Sequence, residues 1–322
     1  MNLDSRSIIC CAALVATAGG AAADTYPGRP IRFIVPQTPG GTSDIVARMV
    51  AQRLAEAVKQ PVVIDNRAGA SGTIGTAIAA KAPADGYTIV LAYTVHTTSA
   101  ALYDKLPFDP VRSFAAVTIL ATAPLLLVVP PRIPATTVAE FIRVAKTVPR
   151  PLTFGSAGNG SGGHLAGELF KVMAQVPLAH IPYRGTGQAI TELIGGQIDF
   201  MFAAIVPIQP HVKSGRLRGI AVSSTRRSVT APEIPTVAES GLAGFEYIGW
   251  YGVLAPAGTP AAVVERLHAE FVKVLHQPDL RERLLADGAE TLGNSPAEFT
   301  VFLKAEIVRW ARVIKQAGAK ID

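Results

Sequence analysis

Cysteine is almost absent from this sequence. The 322 residues include two cysteines, Cys10 and Cys11, and both lie in the N-terminal segment. If that segment is removed, the remaining chain can form no disulfide, no thiolate metal site and no cysteine nucleophile. Its stability must then come from a hydrophobic core, and a chain of 322 residues is long enough to build two globular domains.

Long apolar runs are absent as well. Residues 8–18 form an apolar run that is shorter than the roughly 18 residues a membrane helix needs, and small residues at 21–23 offer a cleavage site. We therefore expect residues 1–23 to be a signal peptide, cleaved after about Ala23, and the mature chain to be periplasmic. A short buried helix is the alternative for this segment.

Charge is not concentrated in any part of the chain. Lys and Arg number 30 against 24 Asp and Glu, which leaves a net charge of +6. The densest basic pair, Arg226 and Arg227, has no aromatic neighbour that could stack on a base. We expect no nucleic-acid partner and interpret the excess as a bias towards anionic ligands.

Sequence motifs of cofactor and metal chemistry are also missing. There is no G-x-x-x-x-G-K-[ST] phosphate loop, and the six histidines show no metal spacing such as H-x-x-x-H. Gly158, Gly160 and Gly163 fit G-x-G-x-x-G, but the next strand ends in Tyr183 and Arg184, where a dinucleotide site needs an acid. We expect neither a cofactor nor a metal.

One catalytic alternative rests on Ser161 and His164. Three residues apart, they could share one face of a helix, although no G-x-S-x-G elbow surrounds any serine. A nucleophilic serine would need the histidine within hydrogen-bond reach and an orienting acid. A periplasmic hydrolase using this pair is the first alternative function.

Strand-like and helix-like segments alternate along the chain. Strands are expected at 31–36, 61–66, 87–93, 125–130, 152–158, 178–183, 198–202, 217–223 and 247–256. Helices are expected at 44–58, 72–82, 138–148, after the glycines of 158–163, at 187–196, at 207–215 and from 296 to about 315, two of them with capping boxes at Thr137 and Ser295. This alternation predicts an α/β fold with parallel-type sheets flanked by helices.

Two runs of this alternation predict two lobes. Only helices follow the strand at 247–256, which is too little for a third lobe, so we expect this tail to complete the first lobe. The expected boundaries are 24–123 with 246–322 for lobe 1 and 124–245 for lobe 2. Two chain crossings, near 121–125 and 245–249, would then form a hinge suited to closing on a ligand.

Two glycine-rich loops have the same local pattern. In the first loop (35–44) and the second loop (156–170), an apolar strand runs into glycines and small hydroxyl residues, and a helix follows. Unpaired N–H groups at the positive end of a helix bind an anion without a basic side chain. Facing each other across a cleft, the loops would bind a carboxylate between them. For Asp44, capping its own helix is favoured over a ligand contact.

Nine motifs carry a family resemblance. In chain order they are "YPGRPIRFIVPQTPGGTSDIVAR", "VVIDNRAGASGTIG", "DGYTIVLA", "LPFDPVRSF", "LTFGSAGNGSGGHLAGELF", "IPYRGTGQAI", "LRGIAVSSTRRS", "PTVAESGLAGFE" and "WYGVLAPAGTP". Together they cover the mature chain, which resembles the Bug-type periplasmic receptors of tripartite tricarboxylate transporters.

The resemblance implies a two-lobe periplasmic-binding-protein (Venus flytrap) fold, a small carboxylate ligand and no catalysis. The implied partners are the membrane permease subunits of the transporter, with a monomeric receptor as the default. An orphan receptor that signals to a sensor protein is the second alternative.

The resemblance also implies a set of ligand contacts. They are Pro36, Gln37, Thr38, Gly40, Gly41, Thr42 and Ser43 in the first loop, Ser156, Ala157, Gly158, Asn159, Gly160, Ser161 and His164 in the second, and Thr94, His96, Tyr183, Ala203 and Trp250 at strand ends and the hinge. For Tyr183, His96 and Trp250, packing in the interior is an equal alternative.

Two departures from the family pattern concern specificity. Many relatives have aromatic or proline residues where this chain has Gln37 and Thr38, and an acid followed by Asn or Ser where it has Ala203 and Ala204. The second departure removes a partner for an ammonium group. The ligand is therefore expected to be a di- or tricarboxylic or aromatic acid and not an amino acid.

Overall fold

The fold is known from a computed structural model that describes residues 26–40, 42–103, 105–183 and 185–318. The expected signal peptide and Gly41 lie outside the described residues. The strands are β1 (Ile31–Val35), β2 (Val62–Asn66), β3 (Thr88–Tyr93), β4 (Phe114–Val129), β5 (Leu152–Ser156), β6 (Leu178–Pro182), β7 (Phe200–Ala204), β8 (Arg218–Val222), β9 (Ile248–Pro256) and β10 (Glu290–Thr291). The helices are α1 (Thr42–Val58), α2 (Thr73–Ala80), α3 (Thr94–Leu102), α4 (Val138–Thr147), α5 (Gly162–Ala174), α6 (Thr186–Ile194), α7 (Ile205–Lys213), α8 (Ala261–Leu275), α9 (Pro278–Ala286) and α10 (Pro296–Ala317).

The longest strand, β4, is shared by two halves of one sheet. Its residues from Phe114 to Pro124 pair with β9, and those from Leu125 onward pair with β7 and β8. The strand order is β2-β1-β3-β9-β4-β7-β5-β6, with β8 and β10 also paired to β4. The sequence predicts a strand only at 125–130, because the apolar run before it has no clear periodicity.

The sheet is mixed, which corrects the expectation of parallel-type sheets. Strands β1, β2 and β3 are parallel to one another, as are β5, β6 and β7. However, β9 is antiparallel to β3 and β4, and β4 is antiparallel to β7 and β8. The parallel expectation holds within each half. The expectation is wrong for β4 and β9, the strands that carry the chain between the halves, because β9 runs in the direction opposite to β4.

Each half of the sheet has its own hydrophobic core. In the first half, Phe33 of β1 and Phe271 of α8 are fully buried in a core that α1 also covers. In the other half, Phe141 of α4 and Phe170 of α5 are fully buried against β5 and β7. Among the described residues, no helix is both long and apolar enough to cross a bilayer.

The last helix, α10, contributes to both cores. Phe299 and Leu303 pack with the first half of the sheet, whereas Trp310 and Ile314 pack with the second. Burying a large apolar side chain stabilises a protein by about 1.5–3 kcal/mol. The helix is therefore anchored in both halves, which the sequence analysis did not anticipate.

The two predicted capping boxes differ in the structure. At α10, Ser295 accepts from the Glu298 amide and Glu298 accepts from the Ser295 amide, which confirms the prediction. At α4, Thr137 caps the Glu140 amide as predicted, but the Glu140 carboxylate accepts from Thr136 instead of Thr137.

A buried serine joins the two segments that pass between the halves. The Ser223 hydroxyl accepts from the Leu125 amide at 2.8 Å and donates to the Tyr247 carbonyl at 2.6 Å. Its backbone bonds the same two residues, at 2.8 and 2.7 Å. One residue after β8 thus fixes β4 relative to the segment that enters β9.

Replacing this serine should destabilise the protein. Ser223→Ala leaves the buried Leu125 amide and Tyr247 carbonyl without the hydroxyl, and we expect a loss of about 1–3 kcal/mol in the free energy of unfolding, measured by urea denaturation. Ser214→Ala is the control, because that hydroxyl is exposed and bonds the His211 carbonyl and the exposed Arg216 guanidinium. It should change stability by less than about 0.5 kcal/mol. Equal effects of the two changes would contradict this role of Ser223.

Candidate functional site

The two glycine-rich loops follow strands that end at the same level of the sheet as the middle of β4. The first loop joins β1 to α1, and the second joins β5 to α5. Tyr93, at the end of β3, lies level with Ala121 of β4, with β9 between the two strands. Ala204, at the end of β7, pairs directly with Leu125 of β4. Ala121 and Leu125 are four positions apart along β4, which corresponds to about 13 Å. The carboxyl ends of both sets of parallel strands therefore converge on the middle of β4.

The carboxylate of Asp44 organises the first loop. It accepts from the Gly40 amide at 3.0 Å, from the Arg48 guanidinium at 2.9 Å and from the Asn66 amide group at 2.9 Å. Burial by itself raises the pKa of Asp44, but these hydrogen bonds outweigh it and hold that pKa below its usual value. The negative charge of Asp44 is thus satisfied by groups of the protein itself. This agrees with a structural role for Asp44, which the sequence favours over a ligand contact.

Side chains occupy two glycine amides of the second loop. The Ser156 hydroxyl accepts from the Gly158 amide at 3.1 Å, and His164 Nδ1 accepts from the Gly160 amide at 3.0 Å. Gly158 and Gly160 have φ values of +118° and +77°, a region that favours glycine. In this conformation these two amides are directed at the protein itself and are not free to bind a ligand.

The donors that remain in the second loop lie at the start of α5. The amides of Gly162, Gly163 and His164 have no acceptor among the described residues, and the positive end of the helix dipole lies there. The buried hydroxyl of Ser161 also has no hydrogen-bond partner within the described part of the chain. These four donors lie together at the start of α5.

Two stacked histidines support this loop. The rings of His164 and His180 lie 4.0 Å apart, and His180 Nε2 is 2.7 Å from the Ser156 hydroxyl. Burial lowers the pKa of His164 to about 4, helped by the charge of Lys171, and burial lowers that of His180 to about 3, helped by His164. Because His164 Nδ1 accepts a hydrogen bond, the ring that binds the Gly160 amide is neutral.

Tyr247 links the second loop to α3. Its hydroxyl is 3.4 Å from the Thr94 hydroxyl, and a side chain at Gly162 would come within 2.5 Å of the same oxygen. Burial raises the pKa of Tyr247 well above its usual range. Tyr247 is not among the predicted contacts, although it lies in the expected crossing at 245–249.

A further tyrosine pair lies at the end of β3. Tyr93 and Tyr251 are register partners in β3 and β9, and burial raises the pKa of each to about 12. The Tyr93 hydroxyl also interacts with Gln37, a predicted ligand contact in the first loop. Of these two tyrosines, only Tyr93 lies beside a predicted ligand contact in the sequence, because it directly precedes Thr94.

Three of the predicted contacts are buried in the hydrophobic cores. His96 stacks on Phe108, and burial lowers its pKa to about 4. Trp250 is 1% exposed and packs edge-on against Phe299 and Phe302. Ala203 is buried in the core around β7. For His96 and Trp250, these surroundings match the packing alternative.

The remaining predicted contacts differ in exposure. Thr38, Gly40, Thr42 and Ala157 are exposed, Gln37, Gly158, Asn159, Ser161 and Tyr183 are half-buried, and Pro36, Ser43, Thr94, Ser156, Gly160 and His164 are buried. Thr94 begins α3 and does not end a strand. Among the described residues, no three His, Cys, Asp or Glu side chains are grouped to bind a metal.

Comparison with known proteins identifies close relatives. The family described as "Tripartite tricarboxylate transporter family receptor" matches residues 46–319. The chain is 36% identical over 326 residues to protein BugT of Bordetella pertussis, and the match covers 100% of each chain.

Two solved structures share the fold and carry named acids. Rpa4515 of R. palustris with adipate is 37% identical with a TM-score of 0.80, and the match covers 92% of this chain and 100% of that one. MatC (Rpa3494) from Rhodopseudomonas palustris with bound malate is 32% identical with a TM-score of 0.77, covering 90% and 100%. These neighbours support the expected α/β periplasmic-binding-protein fold.

Acidification should destabilise the protein partly through His180. The folded state keeps this ring neutral down to a pKa of about 3, whereas the unfolded chain protonates it near 6.5. Between these values the unfolded state binds more protons, so stability falls as the pH falls. From pH 7 to pH 5, His180→Gln should reduce that fall in the free energy of unfolding by about 2 kcal/mol.

Urea denaturation at both pH values measures this difference. His276→Gln is the control, because His276 is exposed on the last turn of α8. It should lose stability with acid as the unmodified protein does. A His180→Gln protein that also loses as much would show that His180 does not carry the effect.

Proposed function

The chain belongs to the tripartite tricarboxylate transporter receptor family, and we propose that it captures a small di- or tricarboxylic or aromatic acid between its two loops. It is a periplasmic receptor that binds a carboxylate for such a transporter. The related receptors with adipate and malate support a non-amino acid as the ligand. The lack of an acid at Ala204, which is half-buried at the end of β7, supports the same class.

One observation carries the proposal. The amides of Gly162, Gly163 and His164, with the Ser161 hydroxyl, form a set of hydrogen-bond donors without acceptors among the described residues. They lie at the positive end of a helix, where a carboxylate is stabilised without a basic side chain. The Tyr247 and Thr94 hydroxyls connect this set to the other half of the sheet.

Lobe closure would bring the two loops to the ligand. The proposed lobes are 24–123 with 246–322 and 124–245, joined at 121–125 and 245–249. The change in pairing of β4 after Pro124 supports this division. Ligand binding would shift the population towards the closed form, since only that form engages both loops.

The finer assignments of location and partners are part of the same proposal. Residues 1–23 would direct export, with cleavage after about Ala23, and the mature receptor would act as a monomer that presents both lobes to permease subunits. The family membership supports the transport role over an orphan receptor that signals to a sensor.

A binding role without catalysis is supported by the geometry of Ser161 and His164. His164 Nδ1 accepts from the Gly160 amide, and its Nε2 lies 3.9 Å from Glu168. The Ser161 hydroxyl makes no hydrogen bond to any described residue, His164 included. The nucleophile–base contact that a serine hydrolase requires is therefore missing in this conformation.

The second loop should control ligand affinity. Gly160→Ala places an L-residue at a φ of +77°, which disfavours the loop conformation by about 1–2 kcal/mol. We expect affinity for the tightest binder among adipate, malate, succinate, citrate and benzoate to fall about tenfold or more in calorimetric titration. Glutamate should bind more weakly than that acid.

Gly215→Ala is the matched control for backbone strain. Gly215 has a φ of +72° in the turn before β8, and a side-chain carbon added there would meet only open space. The two variants should lose comparable stability, but only Gly160→Ala should lose affinity. Unchanged affinity in Gly160→Ala, or tight binding of glutamate alone, would argue against the proposed site and ligand class respectively.

The protein should show no serine-dependent hydrolysis. Incubation with diethyl adipate, followed by NMR, is expected to give no product above the buffer rate. Ser161→Ala should weaken binding of the acid about tenfold or more, since a hydrogen bond to a charged group contributes about 1.5–3 kcal/mol, while Ser214→Ala should not. Ester turnover that disappears in Ser161→Ala would instead favour a hydrolase.

A further inference from the structure

An apolar groove lies between α5 and α10, away from the two loops. It has a volume of about 700 Å³. Leu169, Val172 and Met173 of α5 form one side, and Ala305 and Val308 of α10 form the other. Val308 is 63% exposed, so the groove opens to solvent.

The rim of this groove is basic. Lys304, Arg309 and Arg312 all line it from α10. Arg309 is fixed by Glu306 and stacks on Trp310, but Lys304 and Arg312 form no hydrogen bond or ion pair with any described residue. An apolar floor with unpaired cations at the rim is complementary to an acidic amphipathic segment.

The sides of the groove continue into the binding site. Helix α5 begins at Gly162, where the unpaired amides lie. Gly244 lines the groove three residues before Tyr247, which contacts Thr94 of α3. The Arg309 guanidinium donates to the carbonyl of Glu246, next to that tyrosine. The groove therefore shares α5 with the proposed site, and its other side is formed by α10, which is anchored in both halves of the sheet.

We propose that this groove binds an acidic amphipathic segment of the transporter's membrane permease and presents the ligand-bound form to it. The inference rests on the proposed transport function. A second copy of the chain is a poorer occupant, because a two-fold contact through this face would bring the same basic rims together. A lipid surface is also poorer, because the apolar side chains line a concave groove and not a convex helix face.

Site-specific photo-cross-linking in cells of the source organism tests the occupant. Val308 is replaced by a photoreactive phenylalanine analogue in the full chain, and adducts are identified by mass spectrometry. The control position is Val229, which is 60% exposed and outside the groove. The expected result is an adduct with a permease subunit from position 308 and none from position 229.

A charge reversal tests the rim. Lys304→Glu with Arg312→Glu should reduce the permease adduct and the uptake of labelled carboxylate at least tenfold, while calorimetric affinity for that acid stays within twofold. Lys213→Glu with Arg226→Glu carries the same charge change on exposed residues elsewhere. It should leave the permease adduct, the uptake and the calorimetric affinity unchanged.

Several outcomes would overturn the inference. They are no adduct at position 308, an adduct only with a second receptor copy, a lipid or a sensor protein, normal uptake in the reversed variant, or loss of its ligand affinity. Failure of the unmodified protein to bind any carboxylate would instead refute the proposed function, and calorimetry detects that independently of the cross-link.

Discussion

The continuity of β4 across both halves of the sheet is the constraint on which the site depends. Because β1 and β3 run with the first part of β4 while β5 and β7 run against its second part, all four strands end near residues 121–125. Each strand leaves a loop or helix start at that point. The two glycine-rich loops thus follow strands that end at the same level of the sheet, and Ser223 keeps the crossing segments in register.

Organisation of the second loop before a ligand arrives is the next requirement. The loop is rich in glycine, and an unrestrained glycine segment would lose much conformational freedom on binding. Ser156 and His164 fix two of its amides, and His180 fixes Ser156 in turn. The loop is therefore ordered by folding, and the amides at the start of α5 keep their direction. A neutral histidine pair suits this purpose, because a buried positive charge at this position would itself need a negatively charged partner.

Local features of the fold were predictable from the sequence, whereas features that depend on strand register were not. Periodicity and capping residues placed α10 and its Ser295 cap, because both effects act within one turn of helix. The length of β4 and the direction of β9 were not predicted, since a strand buried on both faces lacks alternation. In the site, the glycine pattern identified both loops. His180 and Tyr247 were missed because each acquires its role from a neighbour distant in sequence.

The double anchorage of α10 limits how the lobes can move. A hinge of two strands alone would permit a wide rotation, but Leu303 and Trp310 hold the helix in different cores. No proline or glycine lies between these residues, and sharp helix kinks arise almost always at such residues or at breaks in the hydrogen-bond ladder. A large opening would have to withdraw a buried aromatic side chain from one core. The closure proposed for the lobes is therefore limited to a small rotation that leaves both ends of α10 packed in their cores.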